Sequence, residues 1–335
     1  MTRTAIAVRQ IRRPEGAPQP EDFALVDVPI PLLESGQVLV HNLFLSVDPY
    51  HRELMDLEDD AWRRGFGLEG RSLGRVIASR EPSLVPGTIV AHRHGWSSHA
   101  VLTAPEVRVI ERAAGVPLSA YLGILGDTGL TAYAGLVRVA RLRRGEDLFV
   151  SAAAGAVGGA AGQIARLLGA RRIVGSAGSP EKVKHLTHRL GFDAAFDYHE
   201  GIADQLALAA PRGVDVYFDN VGGEHLEAAI GALRESGRIA WCGAVAQYAH
   251  PTEPPAAPRN LYSVVEKRLR IEGFLVRDHM DAREEFEALL VPRLQAGDVA
   301  IDETVTEGIE HTVDAFLGML RGENIGKAVV QPAEE

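Results

Sequence analysis

The chain has 335 residues, 46% of them hydrophobic and 24% charged, with a formal net charge of −10, which is enough for two domains with a large core. The acidic balance argues against nucleic acid as a partner, and no apolar stretch approaches the length of a membrane span. A single cysteine, Cys242, excludes an intrachain disulfide and a cysteine-rich zinc site, and the N-terminal segment lacks an apolar leader core and soon turns charged, so a cytoplasmic location is expected.

Residues 1–125 hold short strand-like runs at 24–28, 38–45, 74–78, 88–92 and 98–102, broken by Pro and Gly. Short runs with turn signals predict a compact β-rich domain. Glu58, Asp59 and Asp60 read as a solvated acidic loop. His92 and His94 form an H-x-H with no third ligand nearby, and read as strand or loop residues rather than metal ligands.

From about residue 126 strand and helix alternate, the doubly wound βα pattern. Residues 147–151 form a short apolar strand, with Leu148, Phe149 and Val150 suited to a buried parallel sheet. Ala153-Ala154-Gly155-Ala156-Val157-Gly158 follows, a G-x-G-x-x-G fingerprint with alanine in the first place. Gly155 would let backbone approach a pyrophosphate, and Gly158 would let the next helix pack close on the strand. That helix carries Ile164, Leu167 and Leu168 on one face, and its N-terminal amides favour an anion. The bare hexad reads equally well as an alanine-rich helix start; the strand before and the helix after make it a dinucleotide site.

The second strand, 172–175, has no Asp or Glu at its end to hold a ribose 2′-hydroxyl. Gly178 and Ser179 stand there, then Pro180, Glu181 and Lys182. Ser179 can cap the next helix with Pro180 in its first turn, which places Lys182 to reach toward a 2′-phosphate. The missing acid and the nearby cation favour NADP(H) over NAD(H). Further strands are predicted at 194–198, 214–218, 237–243 and 271–276, with helices at 180–190, 224–234, 261–267, 282–295 and 309–320. The proline-rich segment 251–258 reads as a linker or as a loop over the cofactor edge.

The motifs at 46–50 (SVDPY), 129–133 (GLTAY), 152–163, 178–182, 218–223, 242–248 and 322–327 resemble the zinc-free medium-chain dehydrogenase/reductases, within them the prostaglandin/leukotriene reductase group that includes bacterial curcumin reductases and plant double-bond reductases. The resemblance implies an α/β fold: a GroES-like β-rich catalytic domain over 1–125, completed by 300–335, and a doubly wound Rossmann NADP(H)-binding domain with a parallel sheet over 126–299. It implies a homodimer with NADPH-dependent ene-reductase activity and no metal. Among cofactor contacts it implies Lys182 and Tyr198 at the 2′-phosphate, and Asn220 and Asn324. It further implies Cys242 and Gly243 beside the site, the backbone of Phe274, Leu275 and Val276 at the nicotinamide carboxamide, and Thr131 near the nicotinamide.

The implied reaction is hydride transfer to the β-carbon of an α,β-unsaturated ketone or aldehyde, which needs a donor near the carbonyl oxygen and an acid for the α-carbon. No nucleophile is required. Tyr50, Tyr248 and Tyr262 are the candidates for the polar role, each also readable as a packed tyrosine. Two departures stand out. Plant members carry a carbonyl-binding tyrosine where this chain has Glu266, with Tyr262 one turn earlier. Many members read G-M-P-G where this chain has Gly126-Asp127-Thr128-Gly129, so Asp127 is either a proton donor or a helix cap. The alternatives to an ene-reductase are a quinone oxidoreductase of the same superfamily and an NADPH-binding protein without turnover.

Overall fold

The structure, a computed structural model, describes residues 4–57, 63–64, 66–248 and 255–332. The acidic run at 58–60 and residues 251–254 of the proline-rich segment lie outside the described residues. The chain divides into two compact units, Met1–Leu122 with Glu303–Glu335, and Gly123–Asp302.

The first unit is β-rich. Its main sheet runs in the order Glu303–Glu307, Lys327–Gln331, Gln37–Ser46, Ser72–Ser79, Ile89–His92 and Arg108–Val109, and His99–Thr103 pairs off this path with Gln37–Ser46. Lys327–Gln331 meets Ser46 antiparallel, so residues nearly three hundred positions apart share one sheet. The opening segment, not read as a strand in the sequence, is one: Thr4–Gln10 forms a ribbon with Phe23–Pro29. Its inward residues are Ala5, Ala7, Val8 and Gln10. A core of Val8, Phe23, Leu45, Met55, Leu68, Trp96 and Phe316 fills this unit. His92 is buried against Asn42, 2.9 Å from its Oδ1, and His94 pairs with Glu106 at 3.1 Å.

In the second unit the strands are β1 (Asp147–Val150), β2 (Arg172–Ala177), β3 (Ala194–Asp197), β4 (Val214–Asp219), β5 (Leu233–Trp241) and β6 (Arg270–Gly273), joined in the order β3-β2-β1-β4-β5-β6. Every pairing is parallel. This is the order of a dinucleotide-binding sheet, in which the chain reverses direction of winding between the first and fourth strands. Phe149 stacks on Tyr217 at 4.9 Å and on Phe196 at 5.9 Å, which ties three strands through their side chains.

Several boundaries differ from expectation. The helix after β2 spans Pro180–His188, and the helix predicted at 224–234 spans Gly223–Ala232. β5 begins at Leu233 and passes through a register break, with Ser236 in the left-handed region at φ 59°. Cys242 and Gly243 lie past its end. β6 stops at Gly273 because Phe274 turns away; its ring meets Phe218 edge-on at 6.3 Å. A 3₁₀ helix, Val276–Ala282, follows. Of the proline-rich segment, the described part lies within the second unit, with Pro255 3.5 Å from where a Cβ of Gly223 would stand. No helix among the described residues is long and apolar enough to cross a membrane.

Candidate cofactor and substrate site

The C-terminal ends of β1, β2, β4 and β5 are laced together around the glycine turn. Ala152, just past β1, takes φ 46°, a left-handed backbone that is uncommon for a residue with a Cβ. It turns the chain so that Gly155 stands immediately before the helix Ala156–Leu167. The first amides of that helix have no carbonyl one turn back, which leaves them available to an anion. A Cβ on Gly158 would stand 2.4 Å from the Ala152 carbonyl oxygen and 2.7 Å from the Ala153 Cα. The close approach this glycine allows is therefore to the turn itself, rather than to the strand. The buried face of the helix is made by Ala160, Ala161, Ile164 and Ala165, while Leu167 and Leu168 are only half-buried. Gly162 and Gly175 make room for the Phe192 ring, 2.1 Å and 2.9 Å from where their Cβ atoms would be.

Beside the turn sits a buried polar knot that the sequence did not announce. The Asp219 carboxylate accepts from the Tyr217 hydroxyl at 2.7 Å and from the amides of Val221 and Gly222 at 2.9 Å and 2.8 Å. Ser151 Oγ accepts from the Asn220 amide at 3.0 Å. The Asn220 side chain donates to the Ser151 carbonyl at 2.7 Å, so this asparagine braces the β1 and β4 ends against each other. The amides of Cys242 and Gly243 donate to the Asp219 carbonyl, bringing the β5 end to the same place. Burial, with Asp219 nearby, pushes the Cys242 thiol up to about 12, so it is a neutral thiol here. Tyr248 folds back locally, its hydroxyl accepting from the Ala244 amide at 3.3 Å.

At the end of β2, Ser179 caps the helix Pro180–His188 by accepting from the Lys182 amide at 3.3 Å. The Lys182 side chain is half-buried, and burial lowers its pKa. Tyr198, just past β3, projects its hydroxyl over Gly178, 3.0 Å from where a Cβ there would stand. Gly178, Ser179, Lys182 and Tyr198 thus converge, and among them is a cation but no carboxylate. These features fit a dinucleotide carrying a 2′-phosphate: amides at a helix start, a glycine with an open approach, and a lysine where an acid would exclude phosphate.

The helix Asp127–Ala134 has Gly126 before it, and Asp127 is its first residue. No side-chain cap forms; the Asp127 carboxylate instead pairs with Arg283. Thr131 spends its hydroxyl on the Asp127 carbonyl at 2.7 Å. Phe274 donates its amide to the Trp241 carbonyl at 3.4 Å, and Leu275 is exposed while Val276 opens the 3₁₀ helix. Tyr262 is 71% exposed at the start of Tyr262–Glu266, and Glu266 is exposed at its end.

In the first unit, the SVDPY motif is the hub of an ionic network. Lys327 is buried and donates to Asp48 at 2.7 Å and to the Val47 carbonyl at 2.8 Å. Ser46 also donates to Asp48, and Arg71 stands 3.5 Å away. Burial alone would raise the Asp48 carboxyl, but Lys327 and then Arg71 and His51 hold it well below the carboxylate range. The Asp48 amide meets His51 Nδ1 at 3.3 Å, and burial pulls this histidine down to about 3, so it is neutral. Tyr50 is half-buried; its hydroxyl donates to Glu69 at 3.0 Å, and Arg93 pairs with the same carboxylate. Burial, with Asp48 and Glu69 close by, raises the Tyr50 pKa. Asn324 donates to the Gly326 carbonyl at 2.8 Å in the turn before Lys327–Gln331.

Two family profiles match, one described as the N-terminal domain of oxidoreductase over residues 7–110 and one as zinc-binding dehydrogenase over 156–296. Despite the second description, no group of three His, Cys, Asp or Glu side chains among the described residues could hold a metal ion. Prostaglandin reductase 1 of Mus musculus is 42% identical over 325 residues, 95% of this chain and 96% of its own length. An NADP(+)-dependent 2-alkenal reductase of Nicotiana tabacum is 39% identical over 329 residues, 96% of this chain and 95% of its own. The crystal structure of CurA in complex with NADPH, from Vibrio vulnificus, superposes with a TM-score of 0.89 at 33% identity, covering 98% of this chain and 100% of that one. The chain belongs to the zinc-free medium-chain dehydrogenase/reductases, in the group that contains the prostaglandin and 2-alkenal reductases.

Proposed function

We propose that this protein is an NADPH-dependent ene-reductase, reducing the carbon–carbon double bond of α,β-unsaturated aldehydes and ketones without a metal. The observation that carries the reading is the β2 end, where Gly178, Ser179, Lys182 and Tyr198 converge with no acid among them, in a chain whose relatives include a prostaglandin reductase and a 2-alkenal reductase. When bound, NADPH supplies the hydride that reaches the β-carbon.

The protein's own work is binding, orientation and proton supply. The turn at Gly155 with the amides of Ala156 and Val157 would hold the pyrophosphate, and Lys182 and Tyr198 the 2′-phosphate. Asn220 and Asp219 keep that platform rigid by tying β1, β4 and β5. We assign the role of donor to the carbonyl oxygen to Tyr50. Its single proton goes to Glu69 in this structure, so it would serve the substrate by exchanging that partner. Asp127 is poorly placed for this step, since its carboxyl is already engaged by Arg283. Tyr248 and Tyr262 would contact the substrate rather than donate to it.

A homodimer belongs to the same proposal. What supports it is the open edge at β6, the last strand of the sheet, in a chain segment where Leu261, Tyr262, Val265 and Leu275 are exposed. A cytoplasmic location suits a chain with one unpaired cysteine. The test is NADPH oxidation against a graded panel of enals, enones and quinones, with NADH as control, product identification, and light scattering for the dimer. Reduction of quinones alone, or NADH preferred over NADPH, refutes the reading.

A further inference from the structure

We propose that His225 is a positioning residue for the 2′-phosphate end of the cofactor site, acting through Tyr198 and anchored on Ser176. The inference rests on the NADP(H) reading above and adds a residue to it. His225 is in the first turn of Gly223–Ala232 and is buried. Its Nε2 lies 3.1 Å from the Oγ of Ser176, a fully buried residue of β2. Its ring meets the Tyr198 ring edge-on, with centroids 5.4 Å apart and planes at 71°. Tyr198 carries its hydroxyl over Gly178, four residues before Lys182. One side chain therefore joins the helix after β4, the interior of β2 and the aromatic ring past β3.

The geometry explains why a histidine serves here. Tyr198 is 37% exposed, so more than a third of its surface has no protein packing to fix the ring. An edge-on neighbour limits its tilt, and that neighbour is itself fixed by a buried hydrogen bond. Leucine would supply contact without the anchor, and leave the Ser176 hydroxyl buried without this partner. Burial pulls the imidazole down to about 4, so at neutral pH it is uncharged and orients Tyr198 without adding a cation of its own.

The experiment measures NADPH and NADH dissociation constants by fluorescence titration, with thermal melting of each variant. The proteins are wild type, His225→Leu, Ser176→Ala, Tyr198→Ala and the double variant His225→Leu/Tyr198→Ala. His225→Leu should weaken NADPH about fivefold, the size of one lost buried contact, with NADH changed less than twofold. Ser176→Ala removes the anchor from its other end with little loss of volume. It should move the NADPH/NADH ratio in the same direction, and keeps the test open if His225→Leu melts too low to assay. In the Tyr198→Ala background His225→Leu should add less than twofold. Equal weakening of NADPH and NADH, an unchanged ratio, or full additivity with Tyr198→Ala overturns the role. A wild-type protein that binds NADH as tightly as NADPH overturns the cofactor reading itself, a separate result.

Discussion

Two glycines three residues apart in one turn should fail in opposite ways when replaced by alanine. At Gly158 the added methyl would stand 2.4 Å from the Ala152 carbonyl oxygen and 2.7 Å from the Ala153 Cα, both backbone. Ordinary contact requires the turn and the helix to part by about 1 Å, an overpacking of about 1–3 kcal/mol. Alanine's better helix propensity returns at most about 1 kcal/mol, so Gly158→Ala should destabilise by about 1–2 kcal/mol and lower the melting temperature by about 3–6 °C. At Gly155 the methyl meets only the Ala152 oxygen, at 3.2 Å, and the backbone, at φ −83° and ψ 174°, is extended and open to any residue. Gly155→Ala should therefore melt within about 2 °C of wild type, a surface-sized effect. It should nonetheless bind NADPH at least about tenfold more weakly, because the methyl occupies the approach to the pyrophosphate. Thermal melts and NADPH fluorescence titration on both variants decide it. A Gly155→Ala protein that melts lower than Gly158→Ala, or that binds NADPH normally, refutes the division of labour.

Other consequences can be checked alongside. Lys182→Ala should weaken NADPH by about ten- to a hundredfold, the worth of a charged hydrogen bond, and leave NADH nearly unchanged; equal losses for both cofactors would remove Lys182 from the 2′-phosphate. Lys327→Met leaves the buried Asp48 carboxylate without its closest cation and should cost about 3–5 kcal/mol at pH 7. Because Asp48 is held below its unfolded pKa of about 3.9, its stabilisation in the wild type is complete above that pH and is lost as the pH falls through the folded value. In Lys327→Met the same carboxyl, buried without that cation, is pushed up instead, so the variant's penalty is relieved as this carboxyl protonates. The gap should narrow from pH 7 to pH 3.5 in urea melts through the variant's gain, and a constant gap would contradict the pairing. Tyr50→Phe should lower kcat by about a hundredfold with NADPH affinity unchanged, and a normal kcat would clear Tyr50 of the donor role. Asp127→Asn should leave the pH profile of turnover unaltered, and loss of its alkaline limb would restore Asp127 as a proton donor.

The glycine turn, the alternation of strand and helix after residue 126, and the missing acid past β2 were all legible in the sequence. Each is a local pattern: apolar runs set strands, Ser179 and Pro180 set a helix start, and a carboxylate is either present or not at a given spacing. Boundaries were less legible where a side chain chose a distant partner. Phe274 leaves β6 for Phe218, and β5 starts early because its register breaks against β4. Thr4–Gln10 carries a weak strand signal because half of its inward face is alanine.

What sequence alone determined is the cofactor class and the family, since both follow from residue types at fixed spacing along one strand–turn–helix unit. Tertiary structure alone decided which residues share a charge or a hydrogen bond. Lys327 meets Asp48 across 279 positions, Asp127 pairs with Arg283 across 156, and His225 reaches Ser176 across 49. Such partners are brought together by sheet order and burial, and a buried polar group takes whichever partner the fold presents to it, because leaving it unpaired costs more than any local preference.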